Sequence, residues 1–140
     1  MHTEHLQNVR LPWVLLGWFV SVAITSLVLL GFIAIARVDA DASAGQGWAL
    51  VALVIGFLVG GWFTGARVGL APILHAVGIA LTSLVVWLVA NLLGEVVGTT
   101  TWNDGSPAFY AAGMLVQIVA AALGARIGSR GTRAGVAPQG

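Results

Sequence analysis

Four long apolar runs, separated by short polar breaks, make up most of the chain. They span 11–36, 47–66, 72–97 and 107–125. A helix needs about 20 apolar residues to cross the hydrocarbon core of a bilayer, so each run is a candidate span. Most charges fall in the breaks: Arg10 and Arg37 flank the first run, Arg67 closes the second and Arg126 closes the fourth. Pro72 and Pro107 open the third and fourth runs, where a first helical turn has no use for the missing N–H. The pattern predicts an all-α integral membrane protein, an antiparallel four-helix bundle within residues 1–127. The Gly-rich, basic stretch 128–140 is expected to be a flexible tail. The turn 67–71 is so short that the second and third helices are expected to be antiparallel neighbours.

Composition agrees with lipid as the solvent. The chain is 59% hydrophobic and 8% charged, against about 25% charged in a soluble domain. There is no Cys, which removes disulfides, thiolate metal sites and Cys nucleophiles. A net charge of +1 gives no electrostatic case for nucleic-acid binding. The first run carries a small-x-small pattern, Ala34-Ile35-Ala36. It is much longer than the roughly 7–15 apolar residues of a signal peptide, so it is expected to be a retained span.

Charge sets the expected orientation. With four spans, the N-terminal end, the second break and the C-terminal end share one side. That side carries Arg10, Arg67, Arg126, Arg130 and Arg133, and the other carries Arg37 with Asp39, Asp41 and Asp104. The positive-inside rule then puts both termini in the cytoplasm, with Arg10, Arg67 and Arg126 as anchors at the inner interface. All the basic residues are Arg, which reads as the coding bias of a GC-rich bacterium and hence an inner-membrane protein.

Small residues recur every fourth position: Gly56 and Gly60, then Gly61, Gly65 and Gly69, then Gly94 and Gly98, then Ala120, Gly124 and Gly128. That spacing makes a flat stripe on a helix, which lets a neighbouring backbone approach closely. The pentapeptides Gly65-Ala66-Arg67-Val68-Gly69 and Gly124-Ala125-Arg126-Ile127-Gly128 also echo each other. The echo reads either as duplication of a two-helix hairpin or as the ordinary habit of membrane helices to end in small residues and Arg.

Polar residues inside apolar spans are functional candidates because they are costly there. His75 lies about one turn into the third span, Asn91 and Glu95 near its far end, and Gln117 near the middle of the fourth. His75 reads as a residue bonded to a backbone carbonyl or, alternatively, as a proton-relay or cofactor ligand. Asn91 and Glu95 share a face at four-residue spacing and suit a cation or proton site, or contact with outer water or a helix partner. Gln117 suits interhelical hydrogen bonding or a polar path. His75 and Glu95 are separated by roughly 30 Å along one helix, so they cannot jointly hold one metal ion. No metal or cofactor is expected, and no catalytic constellation is visible.

Two family resemblances bear on the architecture. Gly60-Gly61-Trp62-Phe63-Thr64-Gly65-Ala66-Arg67, followed by Ile73-Leu74-His75-Ala76, resembles a pattern in small four-helix bacterial membrane proteins. In those a GG-x3-G-x-R helix end leads to a Leu-His-Gly helix start. Here Ala76 replaces the usual Gly. This resemblance implies a four-helix membrane fold and no particular activity. Gly60-Gly61, Gly65-Ala66-Arg67 and Asn91-Leu92-Leu93-Gly94 are also similar to elements of the small dimeric fluoride channels. In this chain they fall on the wrong helices, and the Phe-bearing box of that family is missing.

The expected role is non-enzymatic. The leading expectation is an accessory or assembly protein, surrounded by lipid, that forms a homo-oligomer or joins a larger membrane complex. The alternatives are a small oligomeric transporter or channel, and a cofactor-binding subunit using His75.

Overall fold

The computed structural model describes residues 9–36, 43–68, 71–96, 98 and 107–134. They form four helices: α1 (Leu11–Ala36), α2 (Ser43–Arg67), α3 (Pro72–Val96) and α4 (Pro107–Ala134). All four are long and apolar enough to cross a bilayer. The expected spans coincide with α1 and with the starts of α3 and α4. The helix α2 begins earlier than the apolar run, at Ser43 rather than Gly47, and α4 runs on to Ala134 rather than ending at Ala125. Hydropathy marks the stretch that lipid favours, whereas a helix continues as long as its backbone bonds and its packing allow. At the end of α4 the packing is explicit. Gly128 lies against the backbone of Trp62 and Ala66 on α2, and Ser129 is buried. Residues 128–134, expected in the tail, are therefore helical, and 135–140 lie outside the described residues.

Pairs of touching residues give the directions of the helices. Trp13 meets Phe63 at one end of the α1–α2 pair, and Phe32 meets Trp48 at the other, so these two run in opposite directions. Trp87 of α3 meets Tyr110 near the start of α4, with the two rings tilted. Gly61 faces Ala121 and Gly65 faces Ala125, so α2 and α4 run the same way. Parallel α1 and α3 are joined by Arg10 to His75 and by Trp18 to Ser83.

Close approach explains the arrangement. A Cβ on Gly61 or Gly65 would strike the carbonyl oxygen of Ala121 or Ala125, and one on Gly124 or Gly128 would strike that of Leu58 or Trp62. On another face of α2, Gly56 and Gly60 take in Thr25 and Ser21 of α1. With two such faces α2 packs most heavily on α4 and then on α1, while α3 seats on α4 and α1. The expected neighbours α2 and α3 do touch, but less than α2 touches α4 or α1. The short turn does not make them the tightest pair, because smooth glycine faces on α2 admit the backbones of α4 and α1. The same register bears on the pentapeptide echo. In the packed pair Gly61 stands opposite Gly124 and Gly65 opposite Gly128. The echo, which aligns Gly65 with Gly124, is thus displaced from it by one helical turn.

The core is small and built of small side chains: Val14, Phe57, Ala76, Ile79, Ala120, Ala121 and Ala125. Large apolar residues point outward instead, with Phe19 65% and Leu11 64% exposed. The arginines Arg10, Arg67, Arg126 and Arg130 all belong to the end of the bundle where α1 and α3 start and where α2 and α4 finish. Ala71, just before Pro72, has φ of 50°. That left-handed conformation costs a non-glycine residue roughly 1–2 kcal/mol, and packing holds it, because Ala71 and Val68 are both buried.

Candidate functional site

His75 is fully buried where α1 and α3 begin. The Arg10 backbone N–H donates to its Nε2 at 3.0 Å, and its Nδ1 lies 2.9 Å from the Ala71 carbonyl oxygen. An N–H can only donate and a carbonyl can only accept. Nε2 therefore carries the lone pair and Nδ1 the proton. Both ring nitrogens are occupied, which leaves none to ligate a metal or haem. The ring ties the entry of α1 to the strained turn before α3.

The hydroxyls in the interior mostly bond back to their own helices. Ser21 Oγ donates to the Gly17 carbonyl at 2.8 Å, Thr64 Oγ1 to Gly60 at 3.0 Å and Thr82 Oγ1 to Gly78 at 2.8 Å. Thr25 differs: its Oγ1 is buried against Gly56 and has no hydrogen-bond partner. An interhelical bond that sequence patterning does not reveal joins Trp18 Nε1 of α1 to Ser83 Oγ of α3 at 2.9 Å. Nothing in residue spacing marks that pair, since it depends on the relative height of two helices.

Asn91 and Glu95, one turn apart on α3, differ in exposure. Asn91 is buried, and its Nδ2 donates to the Trp87 carbonyl at 2.9 Å. Glu95 is exposed, and its backbone carbonyl accepts from Gly98, whose φ of 72° ends α3 in the left-handed conformation that glycine tolerates. Gln117 is half-buried in α4, with no hydrogen bond to a described residue.

Of the arginine anchors, Arg67 and Arg126 are exposed, and the Arg67 guanidinium lies 5.8 Å from the centre of the Phe63 ring. Gly56, Gly60, Gly61, Gly65 and Gly124 sit at the close helix contacts described above, and Gly69 lies outside the described residues. No cluster of three potential metal-binding side chains occurs among the described residues.

A cleft of about 270 Å³ lies between α3 and α4. Its walls are Ser83, Leu84 and Trp87 from α3 and Phe109, Tyr110, Met114 and Gln117 from α4, with Leu53 of α2 also lining it. Tyr110, Met114 and Gln117 recur at helical spacing and so form one face of α4. The cleft is mostly apolar and aromatic, with a few groups able to hydrogen-bond.

No protein-family model, no curated protein and no solved structure matches this chain.

Proposed function

We propose that the chain is a non-enzymatic accessory or assembly protein of a bacterial inner membrane, crossing it four times with both termini in the cytoplasm. The orientation rests on the Arg-rich end of the bundle, where α1 begins and α4 ends. The protein acts by lateral association, either with a second copy or with another membrane subunit.

One observation supports association above all. Over the far half of α3, from Leu84 to Val96, Asn91 is the single buried residue. Elsewhere the bundle is tight: both glycine faces of α2 are filled by α1 and α4. The far half of α3 meets its own chain at Trp87, against Tyr110 of α4, and is otherwise mostly exposed, yet it carries Asn91 and the exposed carboxylate of Glu95. A charged group facing lipid is costly, and a partner helix relieves that cost. The glycine faces of α2 are taken up by α1 and α4, so α3 rather than α2 is the docking element. A conduit through one chain has no support, since Phe57, Ile79 and the alanines of the core fill the bundle interior.

The test is site-specific photocrosslinking in native membranes. A photoreactive residue replacing Val89 on α3 is expected to capture protein, and the same residue replacing Phe19 on α1 to capture lipid. A strictly monomeric protein in mild detergent, with only lipid adducts from Val89, would overturn the reading.

A further inference from the structure

We propose that the cleft between α3 and α4 binds a neutral, membrane-soluble molecule with a flat ring that carries carbonyl or hydroxyl oxygens and an apolar tail. The proposal stands whether or not the protein works in an assembly. Four observations lead to it.

First, among the described residues the lining contains no Asp, Glu, Lys, Arg or His. At membrane depth an ionised guest would find no countercharge there, so the guest is neutral. Second, each polar group in the lining, Gln117, Tyr110 and Ser83, has a hydrogen to donate to an oxygen of the guest. The Gln117 amide and the Tyr110 hydroxyl hydrogen-bond to no described residue. Ser83 Oγ already accepts from Trp18 Nε1, which leaves its own hydrogen to donate. A saturated acyl chain would satisfy none of them, whereas a ring oxygen would.

Third, the walls are aromatic, and their tilted rings offer faces and edges to another ring. Trp87 and Tyr110 have ring centres 5.4 Å apart, Tyr110 and Phe109 6.1 Å, and Met114 adds a polarisable thioether. The volume falls just below that of ordinary ligand pockets, about 300–1,000 Å³, and suits one ring rather than a whole phospholipid. Fourth, Gly113 lines this cleft and is buried, yet a Cβ built on it would meet nothing within 4 Å. The glycine therefore leaves free space there instead of admitting another helix, unlike Gly61 or Gly124. The tail of the guest would leave through the open side of the cleft.

The test uses the purified full chain in lipid nanodiscs and a decyl-substituted benzoquinone as probe. Binding is read as quenching of tryptophan fluorescence, with Trp87 in the wall as reporter. Saturable quenching at one probe per chain is expected. Gly113→Leu should plug the cleft and weaken binding at least tenfold while helix content and melting temperature stay unchanged, because that site has room. Gln117→Leu should weaken binding several-fold without closing the cavity. Quenching that rises linearly without saturation, as from partitioning alone, would overturn the proposal. So would saturable quenching that Gly113→Leu leaves intact, or displacement of the probe by a long-chain fatty acid methyl ester as effectively as by unlabelled quinone. Should Gly113→Leu prove poorly folded, Tyr110→Phe with Gln117→Leu decides the matter by the same loss or retention of affinity.

Discussion

Gly61 of α2 lies directly on the backbone of Ala121 of α4, so close that a single added carbon would run into the Ala121 carbonyl oxygen. The reciprocal contact, Gly124 on the Leu58 carbonyl, gives the pair a local two-fold relation. Neither contact leaves a side chain that can move aside, because backbone meets backbone. Packing of this kind replaces the hydrophobic drive that lipid does not provide. Gly61→Ala is therefore expected to destabilise the protein by about 1–3 kcal/mol, the usual cost of overpacking a fixed site. Gly61→Leu should prevent folding. Gly131→Ala, at a helical position with open space around it, should be neutral or slightly stabilising. Thermal unfolding in mild detergent, followed by circular dichroism, distinguishes these outcomes. Equal melting temperatures for Gly61→Ala and Gly131→Ala would contradict the close contact.

His75 should behave as a structural tie with two separable bonds. His75→Leu removes both partners at once and leaves the Arg10 N–H and one acceptor site on Ala71 unsatisfied, at an expected cost of about 1–3 kcal/mol. His75→Asn keeps an amide N–H where Nδ1 stands and so should retain the bond to Ala71 alone, with a smaller loss. Both variants are read in the same melting experiment. Since both ring nitrogens are engaged, protein purified from native membranes should carry no visible absorption band. A haem or pigment band that disappears in His75→Leu would show that the ring has another function.

Hydropathy and proline placement made the four helices legible, because lipid imposes a minimum apolar length that few other constraints mimic. The partners of those helices were not legible. Glycine at every fourth position of α2 announces a close contact, but the spacing is the same whether α1, α3, α4 or another chain approaches. The short turn pointed to α3, and packing of backbone on backbone favoured α4. Gln117 illustrates the same limit at the candidate site. Its depth in α4 was evident, whereas its place beside Trp87 and Tyr110 depends on how far α3 and α4 stand apart at that level. The bond from Trp18 to Ser83 was invisible for a related reason, since it is set by the height of α1 against α3.

Thr25 offers a test in which removing a polar group should help. Its hydroxyl is buried against Gly56 without a partner, while Ser21 one turn earlier bonds the Gly17 carbonyl. An unsatisfied buried hydroxyl carries a desolvation cost of about 1–3 kcal/mol, and valine has nearly the same shape. Thr25→Val should raise the melting temperature. Ser21→Ala, which gives up a satisfied local bond and leaves a small void beside Gly60, should lower it. A lower melting temperature for Thr25→Val would mean that the hydroxyl finds a partner in the membrane.

The orientation can be tested without background because the chain has no cysteine. Single cysteines at Thr101 and at Gly140 would lie on opposite sides of the membrane if the chain crosses four times with the arginine-rich end inward. In intact spheroplasts, Thr101→Cys should react with a membrane-impermeant maleimide. Gly140→Cys should react only after permeabilisation. The asymmetry of five arginines against one is large for breaks this short, so a single orientation is expected rather than a mixture. Substituting Arg67 and Arg126 together by Gln reduces the inward bias to three against one and should begin to mix the two labelling patterns. If Gly140→Cys is labelled in intact spheroplasts and Thr101→Cys is protected, the bundle is inserted the other way round. The Arg-rich end would then face outward, against the charge rule on which the proposed orientation rests.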